Sequence, residues 1–471
     1  MENSAQLALS IPEWVLIVSG SGHLLSIISF LFALILLGRL MGEHRHPGST
    51  MAWLMGILFI PYITIPLFLL FGGRKMRMLA GRKRGLHLHG QAPGGQQEDT
   101  RPTADGNRVE LLPDGVKTYQ RSMEMIEGAR ESIHITTFIL WRDEVGQKMV
   151  ETLARKAAEG VQVRLLLDAL GGLGAKGRFT DPIRKAGGEV DIFMPMLPIH
   201  RRWSANLRNH RKLLIVDEKI AMVGGRNIGS EYMGPYPKED RWADYSMVVE
   251  GPSVFSLTEV FAADWEFATG RTLDDTLRIK SIEEMPSAGD VRIQTIASGP
   301  DVPDDPLYET LMTSFMQARE RIWVVTPYFV PDETLLRILM SQAKLGRDVR
   351  LLVPEKSNRV LVDLASRYAQ RELTRAGGRV YLYQAGMMHT KLVIVDEGIA
   401  MVGSPNLDMR SLYLNFEIAT VVQGPGHVQE IAGHVEEMLR KSRIYRRTPH
   451  GMQGLVIESL ENVSRLMAPL L

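Results

Sequence analysis

The N-terminal hydrophobic residues form two long apolar runs with no helical or strand periodicity. In residues 14–38 the only strongly polar side chain is His23, and residues 52–71 contain no charged side chain. A helix of about 20 residues is about 30 Å long, which matches the hydrocarbon thickness of a bilayer. The pattern therefore predicts two transmembrane helices. The alternative, a signal peptide followed by a buried helix, is disfavoured because no Lys or Arg precedes Arg39.

Basic residues flank the two runs unequally. The segment between the runs contains only Arg39 and Arg45, whereas six basic residues follow the second run: Arg74, Lys75, Arg77, Arg82, Lys83 and Arg84. Because Lys and Arg accumulate on the cytoplasmic side of a membrane, we expect the downstream chain to lie in the cytoplasm. Residues 1–84 are therefore interpreted as a membrane segment with a short external loop.

Two copies of one unit follow a polar segment at residues 85–107, which is predicted to be a linker. Residues 210–224 (HRKLLIVDEKIAMVG) match residues 389–403 (HTKLVIVDEGIAMVG) at an offset of 179, with three differences. The predicted repeats therefore span residues 108–290 and 291–471.

Predicted strands and helices alternate within each repeat, which indicates an α/β fold with helices on both faces of a sheet. Two α-β-α repeats in one chain imply a pseudo-twofold body. The first repeat is predicted to contain strands at 133–140 and 161–168 and helices at 147–159 and 178–186. The second is predicted to contain strands at 322–329, 349–353 and 380–383 and helices at 333–345 and 360–376.

Composition narrows the functional class. Lys plus Arg number 55 and Asp plus Glu 54, so the net charge of +1 argues against a nucleic-acid binder that depends on bulk positive charge. The chain contains no cysteine, which excludes disulfides, thiolate metal sites and cysteine nucleophiles.

Each repeat carries the same set of chemically active residues. The pattern is H-x-K-x4-D, then a glycine, a small residue and an asparagine 17 residues after the histidine. Side chains at i and i+2 of a strand share one face, so we expect His and Lys to lie together. Leu213 and Ile215, and their counterparts Leu392 and Ile394, are expected to turn the other way into the core. The candidate residues are His210, Lys212, Asp217 and Asn227 in the first repeat, and His389, Lys391, Asp396, Ser404 and Asn406 in the second.

A pair of carboxylates aligns further along the repeats. The sequence DYSMVVEGP, which begins at Asp244, matches EIATVVQGP, which begins at Glu417. A carboxylate at this place can accept a hydrogen bond from a histidine ring and so select its tautomer. The alternative is an ordinary charged residue at the start of a strand.

The duplicated set suits phosphoryl chemistry. Two ammonium groups repel divalent metals and attract a phosphate, and the amides can donate hydrogen bonds to its oxygens. No motif has the spacing of metal ligands, so metal-independent chemistry without a cofactor is predicted. One histidine can attack phosphorus while the other protonates the departing alcohol and then deprotonates an incoming alcohol or water.

The paired motifs resemble the phospholipase D superfamily, and the apolar runs and the C-terminal ENVSRLMAPLL resemble those of bacterial cardiolipin synthases. The resemblance implies condensation of two phosphatidylglycerol molecules into cardiolipin with release of glycerol. It also implies a multi-pass protein of the bacterial inner membrane with its catalytic body in the cytoplasm. By this resemblance the paired His, Lys and Asp residues are catalytic, with His210 as nucleophile and His389 as acid and base. Asn227, Asn406 and Ser404 would contact the phosphate, and only the second repeat offers that hydroxyl because Gly225 replaces it in the first.

Two further segments have open interpretations. Residues 194–209, which are extra in the first repeat, contain Trp203 and three arginines, and they either guide an anionic headgroup at the membrane or form a solvated loop. Residues 454–471 are amphipathic and are predicted to pack on the body.

Other functions compete with the synthase interpretation. Water could replace the acceptor alcohol, giving a membrane-anchored phospholipase D hydrolase, or phosphatidylethanolamine could be a co-substrate. A nuclease is disfavoured by the net charge and the apolar runs. A non-catalytic membrane scaffold is disfavoured because all four His and Lys residues are present. The sequence is compatible with an oligomer and does not define one.

Overall fold

The computed structural model describes residues 47–60, 62–65, 68, 103–175, 177–195, 207–273, 276–279, 281–302, 305–446 and 461. The chain divides into two compact units, Met1–Gly73 and Arg74–Leu471.

The N-terminal unit contains helix α1 (Pro47–Phe59), which begins before the second apolar run. The α1 helix ends just ahead of a proline in the sequence, and a proline disfavours helical geometry at the residue before it. Ile57 and Phe68 are buried together in this unit. Within the described residues, no helix combines the length and apolar character needed to cross a bilayer. The predicted helix at 14–38 lies outside the described residues.

The second unit consists of the two repeats. The first contains β1 (Thr103–Leu112), α2 (Gly115–Gly128), β2 (Ser132–Thr137), α3 (Glu144–Ala158), β3 (Gln162–Asp168), α4 (Asp181–Lys185), β4 (Glu189–Phe193), β5 (Leu213–Val216), β6 (Ile220–Gly224), β7 (Ser246–Glu250) and α5 (Ser253–Thr269). The second contains β8 (Val291–Ser298), α6 (Pro306–Gln317), β9 (Arg321–Val325), β10 (Phe329–Val330), α7 (Glu333–Lys344), β11 (Asp348–Pro354), α8 (Val360–Arg375), β12 (Arg379–Tyr383), β13 (Leu392–Val395), β14 (Ile399–Gly403), β15 (Leu407–Asp408), α9 (Met409–Tyr413), β16 (Glu417–Gln423), α10 (Pro425–Arg440) and β17 (Ser442–Ile444).

Fifteen of the strands form one sheet in the order β17-β12-β11-β9-β13-β14-β16-β8-β1-β7-β6-β5-β2-β3-β4, and β10 and β15 form a separate two-stranded sheet. Apart from β17, the order of the second repeat is the reverse of the first, so corresponding strands lie on opposite sides of the antiparallel β1–β8 pair. In each repeat the strands joined by helices pair in parallel, and the strands joined by short turns pair antiparallel. The α/β class and the two-repeat architecture are confirmed.

Strand β1 begins inside the segment that was predicted to be a linker. Its sequence is polar and lacks alternation, but Asn107 is buried and donates hydrogen bonds to the carbonyls of Ala104 (2.8 Å) and Val291 (3.1 Å). A register shift between Ala104 and Asn107 accompanies Gly106, whose φ of 85° suits glycine. The strand is therefore held by a buried amide that hydrophobic periodicity does not reveal.

Successive side chains of β5 and β13 point alternately into different hydrophobic cores of the body. Leu213, Ile215, Leu392 and Ile394 belong to a central cluster that contains residues of both repeats. The intervening residues pack in clusters made mostly within one repeat, for example Leu214 in the first. The prediction that residues following His and Lys face the core is confirmed, and the packing buries the two repeats against each other.

Asp217 and Asp396 occupy the turns that follow β5 and β13, at a φ of 52° in both cases. The Asp217 carboxylate accepts hydrogen bonds from the backbone N–H groups of residues 130–132, at 2.8 to 3.2 Å. Asp396 accepts from the N–H groups of residues 319–321 at 2.8 to 3.2 Å. Both carboxylates therefore fasten a turn to the start of the neighbouring strand, β2 or β9, and neither lies beside the histidines.

Replacing Asp396 with Ala should lower the free energy of unfolding of the body by about 1–3 kcal/mol, because three backbone donors lose their acceptor. Alanine also tolerates the positive φ less well than aspartate. Chemical denaturation followed by tryptophan fluorescence measures the change. Glu397→Ala, which removes the adjacent exposed carboxylate, is the matched control and should have little effect. Equal stability of the two variants would contradict the structural assignment.

Candidate active site

The two H-x-K segments lie immediately before strands β5 and β13, and their side chains are buried. The Lys212 ammonium donates a hydrogen bond to the carbonyl of His210 at 2.6 Å. The Lys391 ammonium makes the equivalent bond to the carbonyl of His389. Each lysine is thus held beside its own histidine, as their i, i+2 spacing predicts.

Backbone bridges attach each histidine segment to the opposite repeat. Asn209 and Phe416 form one parallel bridge, and Ala243 and Met388 form the other. The His210 N–H donates to the Phe416 carbonyl at 2.9 Å, and the His389 N–H donates to the Ala243 carbonyl at 2.7 Å. Since Glu417 follows Phe416 and Asp244 follows Ala243, the bridges align each histidine with a carboxylate of the other repeat.

The carboxylates pair with the histidines crosswise. His210 Nδ1 lies 3.0 Å from both Glu417 oxygens, and His389 Nδ1 lies 2.6 Å from Asp244 Oδ2. A ring that donates from Nδ1 to a carboxylate presents its Nε2 lone pair to a ligand. Each predicted orienting carboxylate therefore meets a histidine of the opposite repeat, and both pairs join the two repeats.

Burial and charge shift the pKa values of the cationic groups. Burial is the main cause that lowers the pKa of His210 to about 4 and that of His389 to about 3. The Lys391 charge adds to this effect at His210, and the Lys212 charge adds to it at His389. Burial also lowers the pKa of Lys212 to about 7 and that of Lys391 to about 8, against an ordinary value near 10.4. The charges of both repeats therefore act within one site.

The pKa values of the two orienting carboxyls are also lowered, although burial acts on them in the opposite direction. Burial alone would raise the pKa of Asp244, but Lys391 and His389 hold it below its usual value. Burial opposes the charged form of Glu417 in the same way, and His210 and Lys212 outweigh it. Both carboxyls are consequently anionic partners for the histidine rings.

Ser404 is hydrogen-bonded to the Glu417 carboxylate. Its hydroxyl donates to Glu417 Oε2 at 2.5 Å and accepts from the Ile418 N–H at 3.0 Å. Asn415 Nδ2 donates to the other Glu417 oxygen at 3.2 Å. In this structure the Ser404 hydroxyl, predicted to contact the phosphate, is engaged in orienting Glu417.

Gly225 replaces Ser404 in the first repeat for a steric reason. A Cβ at Gly225 would lie 2.3 Å from Asp244 Oδ1. Asp244 is one methylene shorter than Glu417, so its carboxylate occupies a different position relative to this loop. The two halves therefore support their carboxylates by different means.

The two predicted asparagines are buried in corresponding loops. Asn227 Oδ1 accepts a hydrogen bond from the Ile139 N–H at 3.2 Å, and the Asn227 side chain also bonds to Tyr232. Asn406 Oδ1 has no hydrogen-bond partner among the described residues. An unpaired buried amide oxygen is costly, and it marks the second loop as a place where a ligand or solvent can bind.

Aromatic rings line the histidines, and sequence reasoning did not identify them. The Phe138 ring meets the His210 ring edge-on at 5.2 Å between centroids. Tyr232 and Trp242 each lie 5.5 Å from the His389 ring. The only signal in the sequence was the position of Trp242, two residues before Asp244.

The residue between His and Lys was also missed. Arg211 is buried and donates to the carbonyls of Glu417 (3.0 Å) and Ser298 (3.1 Å) and to Asp264 (2.5 Å). In the second repeat the equivalent Thr390 donates to the Ala243 carbonyl at 3.1 Å. Both side chains fasten the histidine segment to the other repeat, although their chemistry differs.

The residues present form a polar site in which two ammonium groups and two carboxylates surround two neutral imidazoles that can act as nucleophiles. Within the ranges described above, no group of three or more acidic or histidine side chains is arranged to hold a metal ion.

Comparisons with known proteins agree with this geometry. Residues 123–265 and 311–439 match the family described as "Cardiolipin synthase, PLD-like domain", and residues 25–73 match "Phospholipase_D-nuclease N-terminal". Cardiolipin synthase 1 of Bacillus cereus is 34% identical over 464 residues, covering 91% of this chain and 90% of the relative. Cardiolipin synthase A of Pseudomonas putida is 31% identical over 483 residues, covering 95% and 96%.

A solved structure shares the fold. The phosphatidylserine synthase of Haemophilus influenzae Rd KW20 superimposes with a TM-score of 0.57 at 16% identity, covering 77% of this chain and 93% of that protein. From the family match and the identity to full-length relatives, the chain belongs to the cardiolipin synthase family of the phospholipase D superfamily.

Proposed function

We propose that the protein is a membrane-bound phosphatidyltransferase that joins two phosphatidylglycerol molecules into cardiolipin and releases glycerol. The observation that carries the proposal is the crosswise pairing of His210 with Glu417 and of His389 with Asp244 between two buried lysines. Membership of the cardiolipin synthase family supports the same substrate class. The apolar N-terminal runs support a bacterial inner-membrane location with the body on the cytoplasmic side.

The first half-reaction forms a phosphohistidine. His210 Nε2 attacks the phosphorus of one phosphatidylglycerol, and the P–O bond to the departing glycerol breaks. His389 Nε2 donates a proton to that glycerol oxygen. Lys212 and Lys391, together with Asn227 and Asn406, hold the phosphate oxygens and stabilise their charge.

The second half-reaction releases the product. A hydroxyl of the second phosphatidylglycerol loses its proton to His389 Nε2 while its oxygen attacks phosphorus. The N–P bond to His210 then breaks, leaving cardiolipin and a neutral His210. Two displacements at phosphorus require no nucleotide or metal.

Substrate charge explains how His389 can act as an acid. In the free site, burial and the two ammonium groups keep both imidazoles neutral. A bound phosphodiester anion offsets those ammonium charges and raises the pKa of His389. Protonation is thus coupled to substrate binding.

A product assay tests the reaction. Purified protein in detergent with defined phosphatidylglycerol should give cardiolipin and glycerol in equal amounts. His210→Ala and His389→Ala should each lower the rate at least ~10³-fold, because nucleophile and acid–base catalysis are lost. His427→Ala in α10, outside the site, is the control and should retain activity. Phosphatidic acid as the main product would favour the hydrolase, and wild-type rates in either site variant would overturn the shared site.

The nucleophile can be identified with a donor whose leaving group needs no acid. With a p-nitrophenyl ester of phosphatidic acid, His389→Ala should release a burst of nitrophenol and accumulate a phosphatidyl adduct on His210, since the second step lacks its base. Alkaline quenching and peptide mass spectrometry locate the adduct. His210→Ala should give no adduct, and an adduct on His389 would reverse the two assignments.

The lowered lysine pKa values predict that kcat/KM falls on the basic side of its pH profile at an unusually low pH. The free-enzyme pKa values of Lys212 and Lys391 are about 7 and about 8, so both ammonium groups lose their protons as the pH rises through this range. Because phosphate binding needs those charges, kcat/KM should fall with a midpoint near pH 7 to 8. Rates with phosphatidylglycerol across the pH range measure this. A kcat/KM that stays constant to about pH 10, the range of an ordinary lysine, would contradict it.

A further inference from the structure

Three arginines outside the catalytic set flank the site. We call Arg208, Arg359 and Arg410 the arginine cluster. Arg208 is buried, with its Nη1 3.7 Å from Asp168 Oδ1, Arg410 is half-buried, and Arg359 is exposed with its guanidinium 5.4 Å from the centre of the Tyr328 ring. The cluster therefore runs from the interior to the surface.

Backbone contacts place Arg208 and Arg410 of the cluster next to the segment that carries Glu417, the partner of His210. The Arg410 carbonyl accepts the Asn415 N–H at 3.0 Å, and the Asn415 side chain donates to Glu417. The Arg208 carbonyl accepts the Phe416 N–H at 2.9 Å, and Arg208 lies two residues before His210. The same short segment thus connects both arginines to the reacting imidazole.

The second repeat supplies the outer part of the cluster. Asp408 pairs with Val330 in the parallel β10–β15 bridge and caps α9, the helix that carries Arg410. The Tyr328 ring under Arg359 comes just before β10. Arg359 therefore lies against the residue before β10, and Arg410 lies in the helix that follows β15, so both are next to the small β10–β15 sheet.

The charges in the cluster favour an anion. Burial lowers the pKa of Arg410, Asp408 opposes this, and the charges of Arg208 and Arg359 lower it further. Like charges are therefore held within electrostatic reach of one another. Asp168 accepts hydrogen bonds from the N–H groups of Asn209, Leu170 and Gly171 and also from the Arg208 side chain.

The proposed reaction requires a second anion site. Each phosphatidylglycerol carries a phosphodiester, and the histidines and lysines can hold only the one that reacts. The acceptor keeps its own phosphodiester, three carbons away from the attacking hydroxyl. Guanidinium groups bind phosphate oxygens with two parallel hydrogen bonds and retain their charge.

We propose that the arginine cluster binds the unreacted phosphodiester of the acceptor lipid, with Arg359 and Arg410 in contact with it and Arg208 supporting them. This inference rests on the proposed function. The cluster would then select a phosphate-bearing alcohol over water as the acceptor, because water has no phosphate for the arginines to bind.

A competition between acceptors tests the subsite. Phosphatidylglycerol with added ethanol should give both cardiolipin and phosphatidylethanol, and only the first product needs an acceptor phosphate. Arg359→Gln and Arg410→Gln should each lower the ratio of cardiolipin to phosphatidylethanol about 10- to 100-fold, the usual effect of losing a hydrogen bond between charged groups. Formation of phosphatidylethanol should remain within about threefold of wild type, which also shows that the variants fold.

Matched variants complete the design. Arg337→Gln removes an exposed arginine of α7 and should leave the product ratio unchanged. Arg410→Lys keeps a cation and should restore part of the ratio. An unchanged ratio in both glutamine variants, or equal loss of both products, would overturn the acceptor subsite. Wild-type protein that makes phosphatidylethanol but no cardiolipin would overturn the proposed function itself, and the subsite with it.

Discussion

The exchange of carboxylates between the repeats is the interaction on which the site depends. Each imidazole takes its hydrogen-bond partner from the opposite half of the molecule, and a backbone bridge one residue away aligns the pair. Neither half alone can orient its histidine. The charge of one lysine also reaches the histidine of the other half, so the acidity of the site is a property of the assembled body.

The candidate active residues could be located from the sequence because the motif occurs twice, with the same spacing between its residues in both copies. Alternating apolar positions also predicted strands around both histidine motifs, including the inward-facing Leu213 and Leu392, whereas the helices at Gly115–Gly128, Ser253–Thr269, Pro306–Gln317 and Pro425–Arg440 were not predicted. The crosswise pairing could not be predicted, since an alignment shows that Asp244 corresponds to Glu417 but not which histidine each one meets. That choice is made by the strand order, which depends on contacts far apart in the chain.

Residue type alone did not predict the role of a side chain correctly where the same group can serve several purposes. Asp217 and Asp396 belong to the motif and yet bind backbone amides at turns. Ser404 has the hydroxyl expected of a phosphate ligand, but Glu417 takes its hydrogen bond. The first five residues of strand β1 (103–107) were predicted to be linker, because the strand is held by a buried asparagine and by pairing on both sides rather than by apolar side chains. These partners are distant in the sequence, so the local composition does not reveal them.

The reversed strand order around β1 and β8 also has an evolutionary consequence. In a chain with a single repeat, the strand equivalent to β1 or β8 would lie at an open edge of the sheet, and open edges pair with other chains. Two identical half-length chains joined there would complete both imidazole–carboxylate pairs, but every mutation would then appear twice. Covalent fusion removes that restriction, and the contrast between Gly225 and Ser404 is the kind of divergence that a fused ancestor permits.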